Sequence, residues 1–304
     1  MHLYLPIAGN SVNVFLMIGL GGLVGFLSGL FGVGGGFLMT PLLMMYGIPP
    51  TVAAASDSNQ IVAASASGCY THFRAKTIDV RMGVLMLVGG IAGGTLGVQL
   101  IKVLRRLGEA DFAITVVYVL MLGGIGSYMF FESLISLRGR PSRAAAPRSP
   151  IYRRLVGALP FKVYFPRSKV TITALMPLLL GTLVGTLAAI MGVGGGFIMV
   201  PIMIYLLRMP MHVVVGTSLF QILFTCINVT VLQAHFNHSV DFVLALLLLI
   251  GSVVGAQIGI RIGRRLRADQ LKILMAVLVL GVMVKMLLGL LLRPEFLVAY
   301  KGGH

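Results

Sequence analysis

The stretch Gly32-Val-Gly-Gly-Gly-Phe37 lies inside a long apolar run, and the same six letters return as Gly192-Val-Gly-Gly-Gly-Phe197. Of the 304 residues, 58% are hydrophobic and 11% charged, and the mean hydropathy is +0.99. A soluble domain of this length needs far more charge on its surface. The runs Val12–Leu30, Val84–Ile101, Phe112–Phe131, Phe242–Ile260 and Ile273–Leu292 each approach the ~20 residues that carry a helix across the hydrocarbon core. The expected fold class is an all-α polytopic membrane protein. No Lys or Arg precedes the first apolar run, so no cleavable leader is expected.

The repeat extends well beyond the glycine blocks. At an offset of 160, Pro41 meets Pro201; at 161, Ser56 meets Thr217 and Gln60 meets Gln221; at 162, Asp79 meets Asp241. The ladder Gly89, Gly93, Gly97 then meets Gly251, Gly255, Gly259, and Glu109–Phe131 matches Asp269–Leu291 in apolar pattern. Each half therefore reads as about five hydrophobic segments: residues 1–132 form a first transmembrane repeat and 170–304 a second. The linker between them, 133–169, holds nine Lys/Arg. Its part Ile151–Val163 is expected on the membrane surface.

Positive charge sets the expected orientation. The net charge of +16 sits mainly in loops, which argues for anionic lipid rather than nucleic acid as the basic face's partner. The linker, the Arg261–Lys272 loop and the His72–Arg81 loop are read as cytoplasmic, and both termini as outside. Lys102, Arg105 and Arg106 fall outside and fit this scheme badly. An odd number of segments per half makes the halves opposite in orientation, an inverted-topology repeat.

Three consecutive glycines inside a bilayer are costly, roughly 1 kcal/mol each relative to Ala. Irregular backbone at that depth survives only when it is buried in protein or lines an aqueous cavity. The apolar segments that follow, Phe37–Tyr46 and Phe197–Leu207, are too short to cross and carry Pro41 and Pro201. Each cluster is read as a break before a half-helix, whose first N–H groups carry the positive end of a dipole. Glycines let a ligand approach them, so two such ends would suit an anion. Close helix packing is the competing reading. The Gly ladders at spacing four are read as packing faces.

The segments after the half-helices open on Ser56-Asp-Ser-Asn-Gln60 and Thr217-Ser-Leu-Phe-Gln221. The candidate substrate-binding set is Gly34, Gly35, Gly36, Phe37, Ser56, Asn59, Gln60, Gly194, Gly195, Gly196, Phe197, Thr217, Ser218 and Gln221. These side chains serve equally well as interhelical hydrogen bonds. Asp57 is the candidate for proton coupling, because an intramembrane acid needs a reason to be there; a helix cap is the other reading. Cys69 and Cys226 form no CxxC, and His235 and His238 lack a third ligand, so neither a disulfide nor a metal site is expected. No cofactor and no nucleophile–base constellation is expected either, which argues against an enzyme.

The paired GVGGGF blocks, each with a proline four residues on, and the later Gly216-Thr-Ser-Leu219 resemble the TauE/SafE family of sulfite exporters. The resemblance covers roughly Val12–Met129 and Thr171–Leu292. It implies a secondary transporter that exports a small organosulfur anion, such as sulfite, sulfoacetate or a similar sulfonate, from the cytoplasm across the bacterial inner membrane by alternating access. It places the family's glycine blocks on Gly32–Phe37 and Gly192–Phe197 and its Thr-Ser pair on Thr217-Ser218. In the first half that pair is replaced by Ser56-Asp57, so equivalent ligand contacts from both halves are not implied. Proton-coupled import of a small carboxylate or sulfur oxyanion, and an anion channel, stay open beside it. The oligomeric state is not readable.

Overall fold

The computed structural model describes residues 2–5, 7, 9, 11–31, 36–137, 162–168, 170–237, 240–263 and 268–292. Gly34 and Gly35 of the first cluster, and most of the basic linker, lie outside the described residues. So does nearly all of Ile151–Val163. The described residues form ten α-helices: α1 Val14–Phe31, α2 Gly36–Met45, α3 Pro50–Arg74, α4 Val80–Arg106, α5 Ala110–Leu137, α6 Leu175–Met191, α7 Gly196–Pro201, α8 Met211–Leu232, α9 Phe242–Gly263 and α10 Ala268–Leu292. A short hairpin precedes each series: β1 His2–Tyr4 with β2 Ser11–Asn13, and β3 Lys162–Phe165 with β4 Val170–Thr173, both antiparallel.

Local sequence explains most boundaries. Pro50 opens α3, where its missing N–H is harmless. Asp79 caps α4 by accepting from the Met82 N–H at 3.3 Å, and Asp241 caps α9 by accepting from the Leu244 N–H at 3.2 Å. Among the described residues, five helices are long and apolar enough to cross a membrane: Val14–Phe31, Val80–Arg106, Ala110–Tyr128, Met211–Asn237 and Phe242–Gly263. The chain is thus a multi-pass helical membrane protein. Four of the runs expected to span fall on these helices. The fifth, Ile273–Leu292, falls on α10, whose apolar portion Ala276–Gly289 is shorter; α8 is long enough instead.

Packing exchanges the halves. The first helix of each half lies along the fourth of the other, α1 on α9 and α4 on α6, while α3 packs on α8 and α5 on α10. The glycine ladders make these approaches possible. A Cβ on Gly89, Gly93 or Gly97 would sit 2.1, 1.9 or 2.6 Å from the carbonyl oxygens of Leu178, Thr182 and Thr186. A Cβ on Gly251, Gly255 or Gly259 would sit 2.0 Å from those of Ile18, Gly22 and Phe26. The partner numbers rise in step, so each pair runs parallel. Backbone cannot yield as a side-chain tip can, so Gly93→Leu is expected to cost more than the ~3 kcal/mol of ordinary overpacking. The check is the monodisperse fraction in detergent, which should collapse relative to a substitution at Gly124, where a Cβ meets nothing within 4 Å.

Candidate functional site

The second glycine block is a true break. α6 ends at Met191, and Gly192 follows at φ 71° with its N–H on the Ala188 carbonyl at 2.8 Å. Gly194 and Gly195 also have positive φ, 69° and 75°, a region that β-branched or bulky residues do not tolerate. α7 then runs only to Pro201 and passes into a π-helical turn, Ile202–Leu206. Six α-helical residues make a weak dipole. The binding potential of this break therefore rests on glycine access and side-chain donors more than on a helix end. α2 is longer, with Pro41 at its sixth position.

The start of α2 meets this break. The rings of Phe37 and Phe197 stack with centroids 5.8 Å apart and planes at 26°. A Cβ on Gly36 would lie 2.9 Å from the Val193 Cα and 3.0 Å from Asp57 Oδ2; one on Gly194 would lie 2.7 Å from Cys226 Sγ and 3.1 Å from Ile61 Cγ2. Asp57 and Ile61 belong to the first half of α3, and Cys226 to α8. Residues 191–200 are all buried, as irregular backbone at membrane depth requires.

The polar heads separate into two sets. Ser56 and Thr217 lie in latches between the halves. The Asp79 N–H donates to Thr217 Oγ1 at 3.0 Å, while Asp79 Oδ2 accepts from the Ser168 N–H and hydroxyl at 3.0 and 2.6 Å. The other latch has the same plan: the Asp241 N–H donates to Ser56 Oγ at 3.1 Å, and Asp241 Oδ2 accepts from the Ile7 N–H at 3.1 Å. Each capping aspartate thus holds the hairpin that precedes the other half. Ser56 lies near the start of α3, and Asp79 follows its end. A helix of 25 residues rises ~1.5 Å per residue, so the latches occupy opposite ends of the molecule.

The second set lies between them. Gln60 and Gln221 are fully buried. Among the described residues, both amide atoms of Gln60, Gln221 Oε1, Asp57 Oδ1, Ser65 Oγ and Thr230 Oγ1 have no hydrogen-bond partner. Gln221 Nε2 donates to Thr225 Oγ1 at 3.0 Å and faces Gly90 of α4, where a Cβ would lie 2.8 Å from it. Ser218 donates to the Val215 carbonyl within its own helix, and Asn59 is half-buried. Buried polar atoms are nearly always paired, so these orphans leave hydrogen-bonding capacity unused in the interior. Ser58 instead bonds backbone, the Ala54 and Gly192 carbonyls at 3.1 and 3.3 Å. Asp57 lies inside α3 and caps nothing.

Sequence reading missed the latch residues Asp79, Asp241 and Ser168, although the Asp79/Asp241 match was visible as part of the repeat. It also missed Thr40 and Tyr118, whose partners come from distant helices. The badly fitting basic cluster has a local account: Arg105 donates to the Asn237 carbonyl, and the Lys102 ammonium lies 5.0 Å from the Phe236 ring centroid. Both thereby meet the end of the π turn Gln233–Asn237. His238 lies outside the described residues. Among the described residues no group of His, Cys, Asp or Glu could hold a metal ion.

Long apolar helices, with the starts of two short ones, α2 and α7, meeting at Phe37 and Phe197 beside buried polar atoms, make a multi-pass membrane protein. The family profile described as Sulfite exporter TauE/SafE matches residues 17–286. The chain belongs to this family, which is one of membrane transporters rather than enzymes. It is similar to the probable membrane transporter protein YjnA of Bacillus subtilis, 28% identical over 273 residues, covering 89% of this chain and 97% of that protein. It is also similar to a probable membrane transporter protein of Xylella fastidiosa, 28% identical over 262 residues, covering 85% and 88%. A shorter similarity links it to the Arabidopsis thaliana Sulfite exporter TauE/SafE family protein 1, 27% identical over 114 residues, 37% of this chain and 25% of that protein. No solved structure matches the chain.

Proposed function

We propose that this chain exports a small organosulfur anion, such as sulfite, sulfoacetate or a similar sulfonate, from the cytoplasm by alternating access. The two halves act as inverted repeats in the bacterial inner membrane, with the termini outside and the linker cytoplasmic. The observation that carries the reading is the pair of buried, incompletely bonded amides, Gln60 and Gln221, on the helices α3 and α8 that pack together beside the Phe37–Phe197 stack. Amides, hydroxyls and glycine N–H groups bind an oxyanion without a fixed positive charge, which suits a carrier that must also release it. In this reading Gly34, Gly35 and Gly36 with Phe37, and Gly194, Gly195 and Gly196 with Phe197, bring the backbone to the anion. Asn59, Gln60, Ser218 and Gln221 contact it, and Ser56 and Thr217 join only when a latch opens. A cytoplasm-negative potential favours the exit of net negative charge by about 2.3 kcal/mol per charge per 100 mV.

A thermal-shift screen of the purified protein in detergent tests this. The panel holds sulfite, sulfoacetate, other sulfonates, sulfate, thiosulfate and small dicarboxylates. A ligand at a hundred times its dissociation constant stabilises by ~2.7 kcal/mol. A selective shift with sulfite or a sulfonate is expected, and it should be lost in Gln60→Leu and Gln221→Leu. A flat response to every anion overturns the proposal.

A further inference from the structure

Three polar side chains occupy core positions where the internal duplication places weaker or apolar ones. Thr40 on α2, Asp57 on α3 and Tyr118 on α5 are all fully buried. Their sequence matches in the second half are Val200, Ser218 and Leu278. The packing plan is the same in both halves, so packing alone does not call for a carboxylate, a threonine and a phenol in the first.

The three groups form one chain. The Thr40 hydroxyl bonds Asp57 Oδ2 at 2.8 Å and also lies beside the Tyr118 hydroxyl. Tyr118 donates to the Met191 carbonyl at 2.5 Å. Met191 ends α6, one residue before Gly192. The chain therefore ties a carboxyl group of the first half to the helix end that begins the second break. Asp57 Oδ1 has no partner among the described residues. Around Asp57, α2 contributes Thr40, α5 Tyr118 and α8 Cys226. Among the described residues no Lys, Arg, His or second acid faces it.

The geometry points to Asp57 as a proton-binding site filled together with the anion, so that each anion crosses with one proton and a dianion such as sulfoacetate still leaves with one net negative charge for the membrane potential to act on. This rests on the transport reading above and adds its coupling ion. The hydrogen-bond count shows how such a site would work. With Asp57 ionised, Thr40 donates its one proton to Oδ2, and Tyr118 must choose between Thr40 and Met191. With a proton on Asp57, the carboxyl donates to Thr40, Thr40 to Tyr118 and Tyr118 to Met191. Every hydroxyl is then used once, and the α6 end is held. An ionised carboxylate with no cation beside it repels an incoming anion, and the neutral form does not. The proton enters from water on the open side, resides on a carboxyl oxygen and leaves from it on the other side. No other bond changes. Tyr118 and Thr40 are positioning residues.

Two measurements test this. The first is the pH-difference infrared spectrum of the purified protein. Wild type is expected to show a protonated-carboxyl band that shifts in deuterated water, is absent in Asp57→Asn and moves in Tyr118→Phe. The second is flux in proteoliposomes with a pH dye inside. External sulfite or sulfoacetate should acidify the lumen in wild type. Asp57→Asn should keep the ligand's thermal shift and lose at least ten-fold of the acidification, and Asp57→Glu should restore part of it. An unchanged infrared band or equal acidification in Asp57→Asn overturns the proposal. A wild-type protein that binds and moves none of the anions instead overturns the transport reading, and the coupling with it.

Discussion

Gly195→Val is expected to abolish transport while leaving the protein in the membrane. Gly195 immediately precedes and caps α7, at φ 75°, a conformation in which a β-branched side chain is strongly disfavoured. A Cβ there would also lie 2.5 Å from Val184 Cγ1 and 3.3 Å from the Ala188 Cβ, both on α6. Relief requires the break to swing away from α6 or α7 to start elsewhere. Either movement separates Phe197 from Phe37 and disturbs the place where the start of α2 meets the second break. Insertion depends on the long apolar helices, which this substitution does not touch. Membrane-fraction abundance should therefore stay within about two-fold of wild type, while anion flux in proteoliposomes falls to background. Normal flux in Gly195→Val would show that the break geometry is irrelevant to transport.

The second large effect concerns the latches. Asp79→Ala removes the acceptor for the Ser168 N–H, the Ser168 hydroxyl and the Met82 N–H. Asp241→Ala removes that for the Ile7 and Leu244 N–H groups. Hydrogen bonds to a charged group contribute ~1.5–3 kcal/mol each. The loss of two at one end exceeds the 1.4 kcal/mol that changes a population ten-fold, so the two variants are expected to bias the carrier toward opposite faces. With Cys69 and Cys226 replaced by Ser, a Gln60→Cys reporter can be labelled by a membrane-impermeant maleimide from either side. Asp79→Ala should raise labelling at least ten-fold from the face where α4 starts, and Asp241→Ala from the face where α9 starts. Labelling from the same face in both variants would rule the latches out as gates.

The helices were legible because lipid leaves the backbone few choices, and twenty apolar residues announce a crossing. The packing faces were legible too: Gly89, Gly93 and Gly97 recur every four residues, and only a close neighbour explains that spacing. The identity of the neighbour was not, since nothing in a glycine says that α4 meets α6 rather than a helix of its own half. The hairpins escaped notice because strands of three or four residues carry little pattern. β3 takes Lys162–Phe165 out of what read as linker, and α5 runs to Leu137, past the expected boundary at 132. In the site, residue type exposed the polar heads but not their partners. Ser56 and Gln60 are one turn apart on α3, yet one meets Asp241 and the other has unbonded amide atoms. Thr40 and Tyr118 gave no signal, because their meeting with Asp57 depends on three helices coming together.

The glycine contacts between α1 and α9 also bear on how the chain is made. Gly21, Gly25 and Gly29 face the carbonyl oxygens of Leu248, Ser252 and Ala256, which leave the ribosome long after α1 has entered the bilayer. Until then this close backbone fit is not made. The pairing of α4 with α6 likewise waits for the linker to be synthesised. Neither half thus closes its closest contacts on its own. The α4–α6 contacts can close once α6 is made, but the α1–α9 contacts wait for α9, and until then α1 has only its lesser contacts with α2 and α3.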